Sequence, residues 1–275
     1  MTHLPGTNTG TEPRFDPLIA HPARVYNVWL GGKDNFAADR WAAQQVGKSR
    51  PQVIAGARAN RAFLARVVRY LASERGIRQF LDIGPGLPAP GNTHEVAQAV
   101  DPRCRVVYAD SDPLVLAHAR ARLPSAPEGA CDYIAADLRN PGRIVRKARS
   151  TLDFSQPAAV LLVAVLHFIP DAEDPAGIVE ELAEALAPGS FIAISHLTAD
   201  NAPEQVTSGV AAYNSLVPAG ITARTHSQIT AMFGRLSLVP PGVVPVDGWR
   251  PAAGRQHPQS GDMYAGVTMI SRRGR

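Results

Sequence analysis

Acidic residues follow three of the short apolar runs in the middle of this chain, each placed where a strand would hand over to a loop. The first, Phe80-Leu81-Asp82-Ile83-Gly84-Pro85-Gly86, pairs an acid with two glycines that let the backbone turn tightly and approach a ligand closely. Asp82 can orient that turn or accept a hydrogen bond from an ammonium group. The second, Tyr108-Ala109-Asp110-Ser111-Asp112-Pro113, carries an acid suited to two ribose hydroxyls, whereas Asp112 before Pro113 suits the N-cap of the next helix. The third, Ala135-Ala136-Asp137-Leu138-Arg139, brings an acid that can accept from the exocyclic amine of adenine, cap a helix or pair with Arg139. A fourth run ends at Ala164-Val165-Leu166-His167-Phe168-Ile169-Pro170-Asp171, where His167 either faces a reaction centre or is held as a structural histidine.

These tips need a scaffold that lines them up. The spacing predicts strands at 79–83, 105–109, 133–136, 159–168 and 191–195, with helices at 92–100, 113–123, 141–149 and 172–186 between them. Repeated βα units mean an α/β fold, a parallel sheet with helices on both faces and ligands outside the carboxyl ends of its strands. Further helices at 203–216 and 227–233 precede two last strands, 238–246 and 264–270, separated by a Pro/Gly-rich loop at 251–261. The count is seven strands. Before the first strand, residues 22–30 read as a short helix stopped by Gly31-Gly32, a second helix follows Asp34 as a possible cap, and a long amphipathic helix runs from Pro51 to Gly76. The division is thus a flexible tail at 1–16, a helical arm at 17–76 and a sheet-bearing core at 77–275.

The composition narrows the partners. With 45% apolar and 19% charged residues in 275, the chain has material for a core. The longest strictly apolar run, Ala158 to Leu166, is far below the roughly 20 residues of a membrane span. The opening residues lack the basic start and apolar stretch of a secretory signal, which predicts a cytoplasmic protein. The two cysteines, Cys104 and Cys131, cannot supply a metal cage and have no His-x-x-His or Cys-x-x-Cys spacing beside them, so no metal is expected. A net charge of +4 comes from arginines scattered among acids, which does not indicate nucleic-acid binding.

The four tips together resemble a class I S-adenosylmethionine-dependent methyltransferase. The segment from Ala23 to Arg40, with Tyr26-Asn27-Val28-Trp29-Leu30-Gly31-Gly32-Lys33-Asp34-Asn35, narrows this, because it is similar to the opening of an actinobacterial S-adenosyl methyltransferase family long catalogued as of unknown function. Gly91-Asn92-Thr93-His94-Glu95 and Asp247-Gly248-Trp249-Arg250-Pro251 resemble the same family, over roughly residues 17–270. The resemblance implies a Rossmann-like core, S-adenosyl-L-methionine as cofactor, and a small-molecule acceptor that it does not identify. It also implies a cofactor site made by Tyr26, Asn35, Asp82, Gly84, Gly86, Asn92, Asp110, Ser111, Asp137, Leu138 and Ala164.

Leu87-Pro88-Ala89-Pro90 lengthens the usual glycine loop, which leaves Gly91 and Asn92 less securely placed at the cofactor than Gly84 and Gly86. The polar arm around Gly31-Gly32 is expected to act as a lid, and Tyr26 could show an aromatic face to the sulfonium. His167 and His196 are the positional candidates for a base, with neither assigned. A non-catalytic S-adenosylmethionine-binding protein and an NAD(P)-dependent oxidoreductase are the alternatives. Pro88 and Pro90 around Ala89 speak against the latter, because they block helix initiation where a pyrophosphate would sit.

Overall fold

The structure is a computed structural model that describes residues 16–122, 125–251 and 262–271. Three helices come first: α1 (Pro22–Trp29), α2 (Ala37–Ser49) and α3 (Val53–Ser73). The alternating region follows with β1 (Gln79–Ile83), α4 (Thr93–Val100), β2 (Arg105–Asp110), α5 (Pro113–Arg122), β3 (Ala130–Ala135), α6 (Pro141–Ala148), β4 (Ala159–Val163), α7 (Pro175–Glu184) and β5 (Phe191–Leu197). The chain then forms α8 (Pro203–Leu216), α9 (His226–Ala231), β6 (Ser237–Leu238), β7 (Val244–Pro245) and β8 (Met263–Met269).

The sheet order is β3-β2-β1-β4-β5-β8-β6, with β7 also paired to β8. Strands β1 to β5 are parallel, and β8 runs antiparallel to β5, β6 and β7. The order reverses between β1 and β4, and the crevice outside such a switch point is where open α/β sheets bind ligands.

Both sheet faces are covered, which explains why the strands read as nearly unbroken apolar runs. Side chains alternate across them: Leu81, Val160 and Leu162 pack with Ile144 of α6 and Leu182 of α7, while Phe80, Ala159 and Leu161 pack with Phe63, Val67 and Leu71 of α3. Thus α3 is part of the sheet's helical layer. Helices α1 and α2 instead share a smaller cluster with α8, built on Val25, Ala42, Val46, Tyr213 and Val217.

Several boundaries differ from those predicted. The fourth strand stops at Val163 because Ala164 takes a left-handed conformation (φ 57°), and Leu166–Phe168 turns as a 3-10 helix. The next helix starts at Pro175, after a 3-10 turn at Asp171–Glu173 and Asp174, whose carboxylate accepts from Gly177 N at 3.0 Å. The run expected as one strand at 238–246 is split into β6 and β7 around the cis Pro240-Pro241 peptide, giving eight strands. Helix α2 starts at Ala37, three residues past Asp34, and Asp39 supplies the carboxylate that accepts from Phe36 N at 2.8 Å. The tail at 1–15 and most of the 251–261 loop lie outside the described residues. No described helix is long and apolar enough to cross a membrane.

Candidate active site

The carboxyl ends of β1, β2, β3 and β4 open into a cavity of about 580 Å³, closed from the other side by α1, the start of α3 and the segment after α8. Gly84 and Gly86, both left-handed (φ 70° and 68°), carry the β1 turn into it. A Cβ on Gly84 would stand 2.5 Å from Val165 Cγ2, so the turn and the β4 tip are in direct contact only because glycine is there.

That contact makes a prediction. Gly84→Ala is expected to meet both the Val165 clash and a left-handed backbone cost of about 1–3 kcal/mol, whereas Gly31→Ala (φ 78°, open space) meets only the second. Thermal denaturation should therefore show the larger loss for Gly84→Ala. Equal losses would mean that Val165 yields freely.

Asp82 is buried beneath the turn and accepts from Thr93 Oγ1 at 2.6 Å. Burial pushes its carboxyl up to about 6, with the Thr93 bond and the Arg61 charge pulling the other way. At the end of β2, Asp110 Oδ1 accepts from Asp112 N at 2.9 Å. Burial raises Asp110 to about 7, against hydrogen bonds from the backbone N–H groups of Asp112, Gly86 and Ser111. Asp112 does cap the following helix, accepting from Leu114 N at 2.8 Å, and its other oxygen lies 3.2 Å from His21 Nδ1. Asp137 is exposed at the rim and accepts from Arg139 N at 2.9 Å.

Nine of the expected cofactor residues line this one cavity: Tyr26, Asp82, Gly84, Gly86, Asp110, Ser111, Asp137, Leu138 and Ala164. Asn35 and Asn92 do not. Asn35 Nδ2 donates to Asn27 Oδ1 at 3.0 Å and Gly32 O at 2.9 Å, closing the arm's own turn. Asn92 is drawn to the inserted loop: its Oδ1 accepts from Arg61 at 2.7 Å and from Ala89 N at 3.2 Å, while Nδ2 donates to Glu95 at 3.0 Å. Other arm polar groups are likewise engaged within the protein, since Arg24 and Asp39 form a buried ion pair at 3.1 Å.

The two histidines differ sharply. His196 is buried inside β5, its Nδ1 donating to Leu197 O at 2.7 Å and its Nε2 accepting from Arg224 at 2.8 Å. Burial pulls it down to about 4, so it is neutral with both nitrogens occupied. His167, on the 3-10 turn after Ala164, lines the cavity, and its buried Nδ1 has no hydrogen-bond partner among the described residues. Burial, reinforced by His196, Arg224 and Arg50, holds it well below the usual histidine range.

Residues beyond the expected set complete the walls. Asn60 on α3 donates to Tyr26 Oη at 3.1 Å and accepts from Ser195 Oγ at 2.6 Å; that same Oγ accepts from Ala164 N at 3.0 Å. Tyr26 Oη donates onward to Ala57 O at 2.9 Å, so one chain of bonds ties α1, α3, β5 and the β4 tip. The sequence signal for Asn60 is a polar residue on the apolar face of its helix, between Ala57 and Phe63. Arg61, which belongs by pattern to the outward stripe, reaches over the cavity rim and grips the insertion through Ala89 O at 2.9 Å.

No group of three metal-binding side chains occurs among the described residues. Cys104 and Cys131 are free thiols pushed up by burial to about 11, which keeps them protonated and unreactive near neutrality.

A family model described as S-adenosyl methyltransferase matches residues 8–271. Two solved structures are similar at 40% identity. One is a DUF574 family protein from Streptomyces avermitilis (93% of this chain, 99% of that one, TM-score 0.88). The other is a candidate methyltransferase from Thermobifida fusca (92% and 96%, TM-score 0.83). The plantazolicin methyltransferase BpumL, solved with a triazolic substrate analogue and S-adenosylhomocysteine, shares the fold at 15% identity (91% and 96%, TM-score 0.52). No curated protein matches the chain.

Proposed function

Because this chain belongs to the S-adenosyl methyltransferase family, with S-adenosylmethionine as its cofactor, we propose that the strand-tip cavity binds that cofactor and delivers its methyl group to a small molecule. The observation that carries this reading is the convergence, in one cavity at the sheet's switch point, of two left-handed glycines and acids from three adjacent strand tips.

The residues fit the cofactor chemically. Asp110 would accept from the ribose hydroxyls and Asp137 from the adenine amine, with Ser111 and Leu138 beside them. Gly84 lets the turn close against Val165, Gly86 brings backbone to the cavity edge, and Asp82 would accept from the amino-acid ammonium. Tyr26 and Ala164 would flank the methyl-bearing end. The bound sulfonium supplies an already activated methyl group. The protein's own work is therefore alignment and exclusion of water. Ala164 serves the first: its strained backbone, fixed by bonds from its N–H to Ser195 O (3.1 Å) and Ser195 Oγ (3.0 Å), turns the chain so that His167 opens on the cavity. Walls from α1, α3 and α8 serve the second.

Thermal denaturation with S-adenosylmethionine, S-adenosylhomocysteine, NAD and NADP tests the reading. At 100 times its dissociation constant a ligand adds about 2.7 kcal/mol of stability. The two sulfur cofactors should raise Tm and the two dinucleotides should not. A shift produced by NAD alone would reverse the assignment.

A further inference from the structure

The side of the cavity away from the strand-tip acids is walled by Trp29, Val46, Val53, Phe168, Leu197 and Met263. Four buried polar atoms of lining residues here have no hydrogen-bond partner among the described residues: Tyr213 Oη, Arg50 Nε, His167 Nδ1 and Asp262 Oδ2, the last held in an ion pair with Arg50. Tyr213 and Arg50 are only 3% and 5% exposed, so this is not solvent-facing slack.

Arg50 links Tyr213 and His167. The Arg50 stem packs on Gly209, whose Cβ position lies 3.1 Å from Arg50 Cβ, and Tyr213 follows one turn later on the same face of α8. Arg50 is also one of the cations whose charge acts on His167. The Trp29 and Tyr213 rings are 6.4 Å apart, and those of His167 and Phe168 are 4.5 Å apart. A buried polar group left without a partner is destabilising, so a cluster of them in one cavity points to a ligand that satisfies them.

The charges restrict that ligand. Arg50 is already matched by buried Asp262, 3.0 Å away, so no unopposed cation awaits a carboxylate. Arg50 and Arg224 set a positive field at His167, which disfavours an ammonium group and favours oxygen that gains negative charge. An imidazole held neutral in that field is a weak base, and a weak base requires an acidic hydroxyl.

Building on the methyltransferase reading, we propose that the acceptor is a neutral aromatic or enolic hydroxyl compound, methylated on that oxygen, with Tyr213 Oη and Arg50 Nε donating to it and His167 Nδ1 receiving its proton. The acceptor's O–H bond breaks toward His167 as its oxygen bonds to the methyl carbon. The methyl–sulfur bond breaks with its electron pair remaining on sulfur, and the imidazolium then releases the proton to water.

The test titrates S-adenosylhomocysteine-loaded protein with 4-nitrophenol, nitrobenzene and benzylamine, following the visible phenolate band of the first. We expect 4-nitrophenol to bind, to ionise more readily when bound than in solution, and to outcompete the other two. Tyr213→Phe should weaken its binding about tenfold, a hydrogen bond to a developing anion, while leaving Tm unchanged or higher, because the lost hydroxyl has no protein partner. Nitrobenzene or benzylamine binding as tightly, no phenol binding to the loaded protein, or unchanged phenol affinity in Tyr213→Phe would overturn the acceptor proposal alone. Failure of S-adenosylhomocysteine itself to bind would instead strike the methyltransferase reading.

Discussion

Arg224→Ala is expected to lower Tm by roughly 10 °C and to impair methyl transfer more than cofactor binding. The Arg224 side chain, 2% exposed, makes five bonds to four groups, three of them in the segment that follows β4 and one on β5. It donates to Leu166 O at 3.3 Å and Ile169 O at 2.7 Å, meets His196 Nε2 at 2.8 Å, and pairs with Asp171 Oδ1 through Nε (2.9 Å) and a terminal nitrogen (2.7 Å). Deleting it strands the Ile169 carbonyl and an imidazole nitrogen away from water, at about 1–3 kcal/mol each, and leaves Leu166 O with only the Ile169 N–H at 3.1 Å. Asp171 matters little to this sum, because its side chain is 70% exposed and such a pair is worth under about 1 kcal/mol. Asp171→Asn is therefore the control and should change Tm by no more than a few degrees. The functional half follows from position. Leu166 and Ile169 bracket the turn that carries His167, whereas the acids assigned to ribose and adenine lie at the end of β2 and just beyond β3. If Arg224→Ala and Asp171→Asn melt together, the guanidinium is not the clasp that its geometry describes.

The positions of Asp82, Asp110 and Asp137 were legible from sequence because they depend on local pattern: each acid lies at or one residue from the end of a short, largely apolar run, and parallel strands put such ends on one edge. Ala164 was not legible in that way. Its neighbours are all apolar, so the run 158–166 shows no break, and the left-handed turn is imposed by an N–H pairing with Ser195 on the next strand. Asn35 and Asn92 have turn-like surroundings that suit either a ligand or a loop. Only the partners, Asn27 and Gly32 for one and Arg61 and Ala89 for the other, decide between them. Arg50 and Asp262, far apart in the chain, form a buried pair that no local pattern announces. The half of the cavity proposed for the acceptor thus depends on tertiary partners, while the half proposed for the cofactor is written in consecutive residues.

That contrast makes Asp110 the sharpest handle on cofactor binding. Its carboxyl is raised to about 7 by burial in the free protein, and Asp82 is raised to about 6. Ribose hydroxyls would donate to the ionised form of Asp110, so cofactor affinity should climb with pH and level off above neutrality. At pH 6 roughly nine-tenths of Asp110 is protonated, which corresponds to about a tenfold weaker complex than the plateau, or about 1.4 kcal/mol. The sign for the free protein is opposite. A carboxyl raised on folding favours the folded state below its unfolded value near 4, and that contribution is lost as pH rises through about 6 and 7. Free-protein Tm should therefore decline across this window from these two groups while the stabilisation by S-adenosylhomocysteine grows. Asp110→Asn keeps one acceptor oxygen for the surrounding N–H groups but cannot ionise. It should bind S-adenosylhomocysteine at least tenfold more weakly at pH 8, with its remaining pH dependence confined to the Asp82 range below about 6. Calorimetric titrations at pH 6, 7 and 8 on both proteins decide the matter. A wild-type affinity flat from pH 6 to 8, or a folded Asp110→Asn protein that binds like wild type, would remove Asp110 from the ribose site.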